Sequence, residues 1–198
     1  MPILWVRYLV SSFRYLLISD LLITSFTSLV SNYIESMNRA VFFDRDGVIN
    51  SDDGLYYVFK SEDFKINPGV LDCLKILASR GYLLIVISNQ GGISRGKYTK
   101  ADAANIHSLL RDECRKAGFE MSEIYFCPHH IEIEKCICRK PGTQMLEKAI
   151  ARFDIDKRQS FFVGDRETDV ETAKNAGIQP ILVKANGNLL ECLKFIPD

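Results

Sequence analysis

The stretch that decides the fold is "VFFDRDGVIN", residues 41–50. Three apolar residues run straight into Asp44 and Asp46, with Arg45 between the two acids and Gly47 after them. Taken alone, the pair could hold a metal, supply a nucleophile, or merely end a strand. What else falls at the ends of apolar runs decides between these.

Working outward, the pattern alternates. "AVFF" (40–43) has the length and apolarity of a short strand. In "PGVLDCLKILASRG" (68–81), Val70, Cys73, Leu74 and Leu77 recur at helical spacing, after Pro68 and before Gly81. "YLLIVIS" (82–88) is continuously apolar, as expected of a strand buried on both faces. "TKADAANIHSLLRDECRKAG" (99–118) predicts a second helix, with Thr99 as N-cap, Asp102 as its capping-box partner and Gly118 as the stop. Then follow a strand "EIYFC" (123–127), a helix "GTQMLEKAIARFD" (142–154), a strand "SFFVGD" (160–165), a helix "RETDVETAKNAG" (166–177) and a strand "QPILVK" (179–184). Strands alternating with helices predict an α/β fold, a doubly wound Rossmann-like parallel sheet covered on both faces. Cys73 and Cys114 fall on helix core faces and are expected to pack rather than ligate. The interval from Asp44 to Pro68 is too short for a helical cap and suits a hairpin flap.

The chain has 198 residues, 47% hydrophobic and 25% charged, enough for one domain with a sizeable core. Lys and Arg balance Asp and Glu at 25 each, which lacks the basic excess of a general nucleic-acid binder. Residues 1–36 differ from the rest: they contain neither Lys nor Gly, and Arg7, Arg14, Asp20 and Glu35 interrupt their apolar runs. Their longest uncharged stretch, 21–34, has 14 residues, short of the 18 or so of a membrane span. Asp20 also splits any signal-peptide core. We expect 1–36 to be an extension upstream of Met37, with a single domain over 37–198, and a cytoplasmic, monomeric protein without a stable membrane span.

Ligands of open α/β sheets bind at the carboxyl ends of the strands. Here those ends bring Asp44, Ser88, Asn89, Gly164 and Asp165 to one edge, with Lys140 just before a helix. That set suits phosphoryl transfer, which needs an attacking oxygen, a cation, donors for the phosphoryl oxygens and an acid for the leaving group. Asp44 could attack phosphorus and form an aspartyl-phosphate, and Asp46 could protonate the leaving alcohol. Asp44 and Asp165 could bind Mg²⁺, while Ser88 and Lys140 hold the phosphate.

"DRDG", "SNQ", "RKPG" and "GDRETD" resemble, in order and spacing, the four motifs of the haloacid dehalogenase (HAD) phosphatases. The resemblance covers residues 40 to about 185. It implies Asp44 as nucleophile, Asp46 as general acid and base, and Mg²⁺ held by Asp44, the backbone carbonyl of Asp46, and Asp165. It places Asp169 behind the metal and the lysine, and implies a capless site with a small phosphorylated metabolite as substrate. A non-catalytic receiver-like module phosphorylated on Asp is the reading from another class, and Asp46 argues against it.

"CPHHIEIEKCIC" (127–138) gathers three cysteines beside two histidines. Three thiolates and an imidazole make a closed structural Zn²⁺ site. Such a zinc-binding loop resembles the HAD branch that contains heptose 1,7-bisphosphate 7-phosphatases and histidinol-phosphate phosphatases. That branch implies Cys127, His129, Cys136 and Cys138 as ligands, with His129 preferred to His130. "SNQGGISRGKYT" favours the heptose enzymes, and "GDRETDVETAKNAGI" the histidinol ones. For the heptose enzymes the resemblance implies that Asp52, Asp53, Gly54 and Leu55 face the substrate from the flap. It implies that Asn89, Gln90, Gly91, Arg139 and Arg166 line the pocket, with Arg139 or Arg95 on a second phosphate. A histidinol pocket would instead use Asp52 and Asp53 against the substrate's cationic groups.

Overall fold

The computed structural model describes residues 37–198; the expectations for 1–36 lie outside the described residues. Five strands form one parallel sheet: β1 (Ala40–Phe43), β2 (Leu83–Asn89), β3 (Glu123–Cys127), β4 (Phe161–Gly164) and β5 (Gln179–Leu182). Their order is β3-β2-β1-β4-β5, so β1 is central and the chain reverses direction across it. Helices α1 (Val70–Ser79), α2 (Lys100–Lys116), α3 (Gln144–Phe153) and α4 (Glu167–Ala176) connect the strands.

The alternation of β1 shows how the sheet is covered. Val41 and Phe43 point into one core with Leu74, Leu77, Val86, Leu110 and Val163. Ala40 and Phe42 point into the other with Ile85, Ile87, Leu146, Ala149 and Phe162. All four β1 residues are buried, because a central parallel strand has a helical layer on each face. The spacing read from α1 is the observed one: Val70, Cys73, Leu74 and Leu77 are its buried residues. Cys73 and Cys114 are both fully buried. The α2 capping box forms as expected: the Thr99 hydroxyl accepts from the Asp102 N–H at 3.1 Å, and the Asp102 carboxylate accepts from the Thr99 N–H at 2.8 Å.

Two features differ from expectation. The flap is not a hairpin. Residues 51–67 contain no strand, only a 3-10 turn at Ser61–Asp63 and an isolated antiparallel bridge between Asn50 and Ile66. The run Lys60 to Asp63 is polar throughout and offers no alternating face to pair, and aromatic packing holds the segment instead, Phe59 stacking on Tyr98 at 5.0 Å. The chain end, unassigned from the pattern, forms a 3-10 segment (Leu189–Phe195) against α1, where Cys192 Sγ lies 3.5 Å from Cys73 Sγ. Among the described residues no helix is long and apolar enough to cross a membrane.

Candidate active site

Where β1 ends, the Asp44 N–H still donates to the Val163 carbonyl of β4 at 3.0 Å, so its side chain leaves the sheet on a fixed stem. Asp44 Oδ1 accepts from the Arg45 N–H at 2.7 Å and meets Lys140 Nζ at 2.8 Å. Lys140, also buried, reaches Asp169 Oδ1 at 2.6 Å and donates to the Ile87 carbonyl at 3.0 Å. Its backbone is clamped from β2: the Lys140 N–H donates to Asn89 Oδ1 at 3.0 Å, and Asn89 Nδ2 donates to the Lys140 carbonyl at 3.2 Å.

One lysine between two buried carboxylates leaves the cluster short of positive charge. Burial pushes the Asp44 carboxyl up to about 7, against the pull of Lys140 and with added repulsion from Asp169. Burial also raises Asp165, partly offset by Arg166. Carboxylate oxygens of Asp44, Asp165 and Asp169 lie within 4.8 Å of one another. Asp165 Oδ1 and Asp169 Oδ1 are both buried without a hydrogen-bond partner, but Asp169 Oδ1 is ion-paired with Lys140 and its Oδ2 accepts from the Arg166 N–H at 3.2 Å. The residues therefore fit a hard divalent cation, with Asp44 and Asp165 the oxygens free to take it.

Two glycines make the approach possible. Gly47 has φ +86°, and a Cβ there would sit 2.6 Å from Asp165 Oδ2. A Cβ on Gly164 would overlap the Asp169 side chain, so β4 ends on the residue that lets α4 bring Asp169 against the sheet.

Asp46 is placed differently. Both its oxygens lie on the Arg45 guanidinium, at 2.8 and 2.9 Å from NH2, and Asn50 and Gln90 donate to it at 3.0 and 2.8 Å. Burial alone would raise its pKa, but Arg45 and these donors hold it below the usual carboxylate range. Arg45 is itself fully buried. Its remaining donors reach the Val58 carbonyl at 2.7 Å and His107 Nε2 at 3.5 Å. Sequence reasoning singled out neither Arg45 nor His107, because an arginine between two acids reads as a solvated charge.

Asp44, Asp46, Ser88 and Lys140 line one cavity of about 460 Å³, joined by Asp52, Leu55, Asn89, Gln90, Gly91, Arg139 and Arg166. Asp53 and Gly54, expected to face the substrate, are exposed and outside that lining. Arg95 is also outside it, paired with Glu132. Tyr56, Tyr57, His130, Ile131 and Thr168 line the cavity without having been anticipated.

The cysteine loop closes as a group of four. The side chains of Cys127, His129, Cys136 and Cys138 bring their ligand atoms within 4.8 Å of one another. Cys127 Sγ lies 3.0 Å from Cys138 Sγ and 3.6 Å from Cys136 Sγ, and His129 Nδ1 lies 3.2 Å from Cys138 Sγ. Zinc–sulfur bonds of about 2.3 Å in a tetrahedron require sulfurs less than about 4 Å apart, so the group fits. His130 stays outside, accepting from the Glu132 N–H and lining the cavity. From this loop Arg139 reaches back, its NH1 donating to the His129 carbonyl at 3.0 Å.

Acidic strand ends around a buried lysine, at the switch point of a β3-β2-β1-β4-β5 sheet, define a phosphatase of the HAD-like hydrolase class. A family model described as HAD-hydrolase-like matches residues 137–192. The D-glycero-alpha-D-manno-heptose-1,7-bisphosphate 7-phosphatase of Campylobacter jejuni is 39% identical over 171 residues, covering 81% of this chain and 96% of the relative. The beta-heptose counterpart from Helicobacter pylori is 41% identical over 143 residues, covering 72% and 81%. The crystal structure of the D,D-heptose 1,7-bisphosphate phosphatase of B. bronchiseptica, complexed with magnesium and phosphate, superposes with a TM-score of 0.69 at 30% identity, covering 81% of this chain and 89% of that one. The chain belongs to the D-glycero-D-manno-heptose-1,7-bisphosphate 7-phosphatase family of HAD-like hydrolases.

Proposed function

We propose that this enzyme removes the 7-phosphate of D-glycero-D-manno-heptose 1,7-bisphosphate in a magnesium-dependent reaction through an aspartyl-phosphate on Asp44. The observation that carries the reading is the convergence of Asp44, Lys140 and Asp165 at the strand ends, with Asp44 and Lys140 lining the cavity, in a chain about 40% identical to enzymes of that name. An Asp44 carboxylate oxygen attacks phosphorus, while Lys140 and the Arg45 N–H hold the carboxylate in place. As the new P–O bond forms, the bond to the sugar oxygen breaks, its electron pair stays on that oxygen, and Asp46 supplies the proton. Asp46 then takes a proton from the water that cleaves the aspartyl-phosphate, which returns Asp44 and releases phosphate. Lys140 and Ser88 hold the phosphoryl oxygens. Asp44, Asp165 and the backbone of Asp46 are the proposed magnesium ligands, and the bound cation offsets the charge of phosphate and carboxylate.

Arg139 lines the same cavity and offers a guanidinium group to the second phosphate. Cys127, His129, Cys136 and Cys138 hold a structural zinc that fixes the loop leading into Arg139 and Lys140. Histidinol phosphate fits less well. Asp52 is already engaged by Arg166 at 3.2 Å and by Asn186 at 3.1 Å, and Asp53 is outside the cavity, so neither acid expected to meet the ammonium group is free in the cavity.

The test is phosphate release from both anomers of the heptose bisphosphate and from histidinol phosphate, with and without Mg²⁺. At least a tenfold preference in kcat/KM for one heptose anomer is expected, and none without Mg²⁺ or with Asp44→Asn. A preference for histidinol phosphate would refute the substrate, and turnover by a folded Asp44→Asn would refute the nucleophile.

A further inference from the structure

The flap and the acid of the reaction are joined by side chains that neither binding nor nucleophilic attack requires. Tyr98, in the loop before α2, donates its hydroxyl to Gln90 Oε1 at 2.6 Å. The other end of the same amide, Gln90 Nε2, donates to Asp46 Oδ2 at 2.8 Å and to Ser88 Oγ at 2.8 Å. Gln90 and Tyr98 are both buried, so water does not compete for these bonds. The Asp46 carboxylate only accepts, so the amide turns its NH₂ to Asp46 and its Oε1 to the Tyr98 hydroxyl, which holds it there.

The Tyr98 ring is held by the flap. Phe59 stacks on it at 5.0 Å with the rings 6° from parallel, and Tyr57 meets it edge-on at 5.5 Å. Gly92 lies beneath them, and a Cβ there would overlap the Tyr98 ring and press on that of Tyr57. Between these two flap residues, the Val58 carbonyl accepts from Arg45, the residue that clamps Asp46 from the other side. Residues 57–59 thus reach Asp46 by two routes, one through Tyr98 and Gln90 and one through Arg45.

We infer that Tyr98 is a positioning residue for the proton-transfer step, orienting Asp46 through Gln90 only while the flap is seated on its ring. The inference rests on Asp46 as proton donor to the leaving oxygen. Its consequence is selective. When the P–O bond to an alkyl alcohol breaks, the alkoxide needs the proton from Asp46. A nitrophenolate leaves as a stable anion and needs none. Since kcat/KM reports events up to the first irreversible step, here departure of the alcohol, the two substrates separate positioning of Asp46 from general damage.

The experiment compares the heptose bisphosphate with 4-nitrophenyl phosphate for Tyr98→Phe, Asp46→Asn and the double variant Asp46→Asn/Tyr98→Phe. Tyr98→Phe keeps the ring stack and removes only the hydroxyl. It is expected to lower kcat/KM for the sugar phosphate at least tenfold, with KM within about twofold, and to change kcat/KM for the aryl phosphate by less than twofold. Tyr98→Phe should cost nothing further in the Asp46→Asn background. Equal losses on both substrates, or additive losses in the double variant, would overturn the inference while leaving Asp46 as the acid. If Asp46→Asn is itself not selective, the proton-donor reading fails and the inference falls with it.

Discussion

Acidification should destabilise this protein through His107, and the size of the effect follows from its surroundings. His107 sits on α2 with its ring buried, 5.2 Å from Phe126, and its Nε2 faces Arg45 NH1 at 3.5 Å. Burial first, and the Arg45 charge second, lower its pKa to about 3. In the unfolded chain it would titrate near 6.5. Between these values the unfolded state binds one proton more than the folded state, so stability rises with pH and is lost as pH falls below 6.5. At about 1.4 kcal/mol per pH unit, moving from 6.5 to 4.5 costs on the order of 3 kcal/mol. Asp44 acts in the opposite sense: raised to about 7, it gains stability as pH falls from 7 toward 3.8. A difference experiment removes it, along with any acid-labile metal. His107→Gln keeps an acceptor for Arg45 but does not titrate. Urea unfolding of both proteins at pH 7 and pH 4.5, without added magnesium, should show the wild type losing on the order of 3 kcal/mol more than the variant. Equal losses would mean that His107 is not held neutral, and the account of a fully paired Arg45 would fail.

Two further outcomes test the supports of the site. Cys138→Ser should reduce bound zinc from about one per chain and lower both thermal stability and kcat, read by metal analysis and a melting curve, because the loop carrying Arg139 and Lys140 has little apolar anchoring of its own. Zinc retained at wild-type level would remove Cys138 from the ligand set. Asn89→Ala breaks both hydrogen bonds to the Lys140 backbone and should destabilise by about 1–3 kcal/mol with a lower kcat; unchanged kinetics would show that Lys140 is positioned by Asp44, Asp169 and the Ile87 carbonyl.

The sequence disclosed the site's skeleton through one rule, that acids and hydroxyls ending apolar runs collect at one edge of a parallel sheet. Asp44, Ser88, Asn89 and Asp165 follow from it, and the capping residues and helical spacing supplied the helices between. What stayed hidden depends on contacts between distant segments. Arg45 looks solvated until Val58, His107 and Asp46 are seen around it. Gln90 looked like a substrate contact, yet both ends of its amide are engaged within the protein. The flap was read as a hairpin on length alone, and its polar 60–63 run and its aromatic attachment to Tyr98 give a loop instead. Asp53 and Gly54 were placed by analogy of position, and the turn they occupy points away from the cavity lining.

The two acids of the opening motif, two residues apart, are given opposite environments, and the resting assignment is the reverse of the one the reaction needs. Burial raises Asp44 to about 7, while Arg45 holds Asp46 below the usual carboxylate range. A nucleophile must be ionised and a leaving-group acid protonated. The charges of the proposed reaction would correct each in turn: a cation held by Asp44 and Asp165 would favour the Asp44 carboxylate, and a phosphate beside Asp46 would favour its proton. Arg45, paired with Asp46 at 2.8 Å, is what sets that requirement: without an anion beside it, the Asp46 carboxyl stays below the usual carboxylate range.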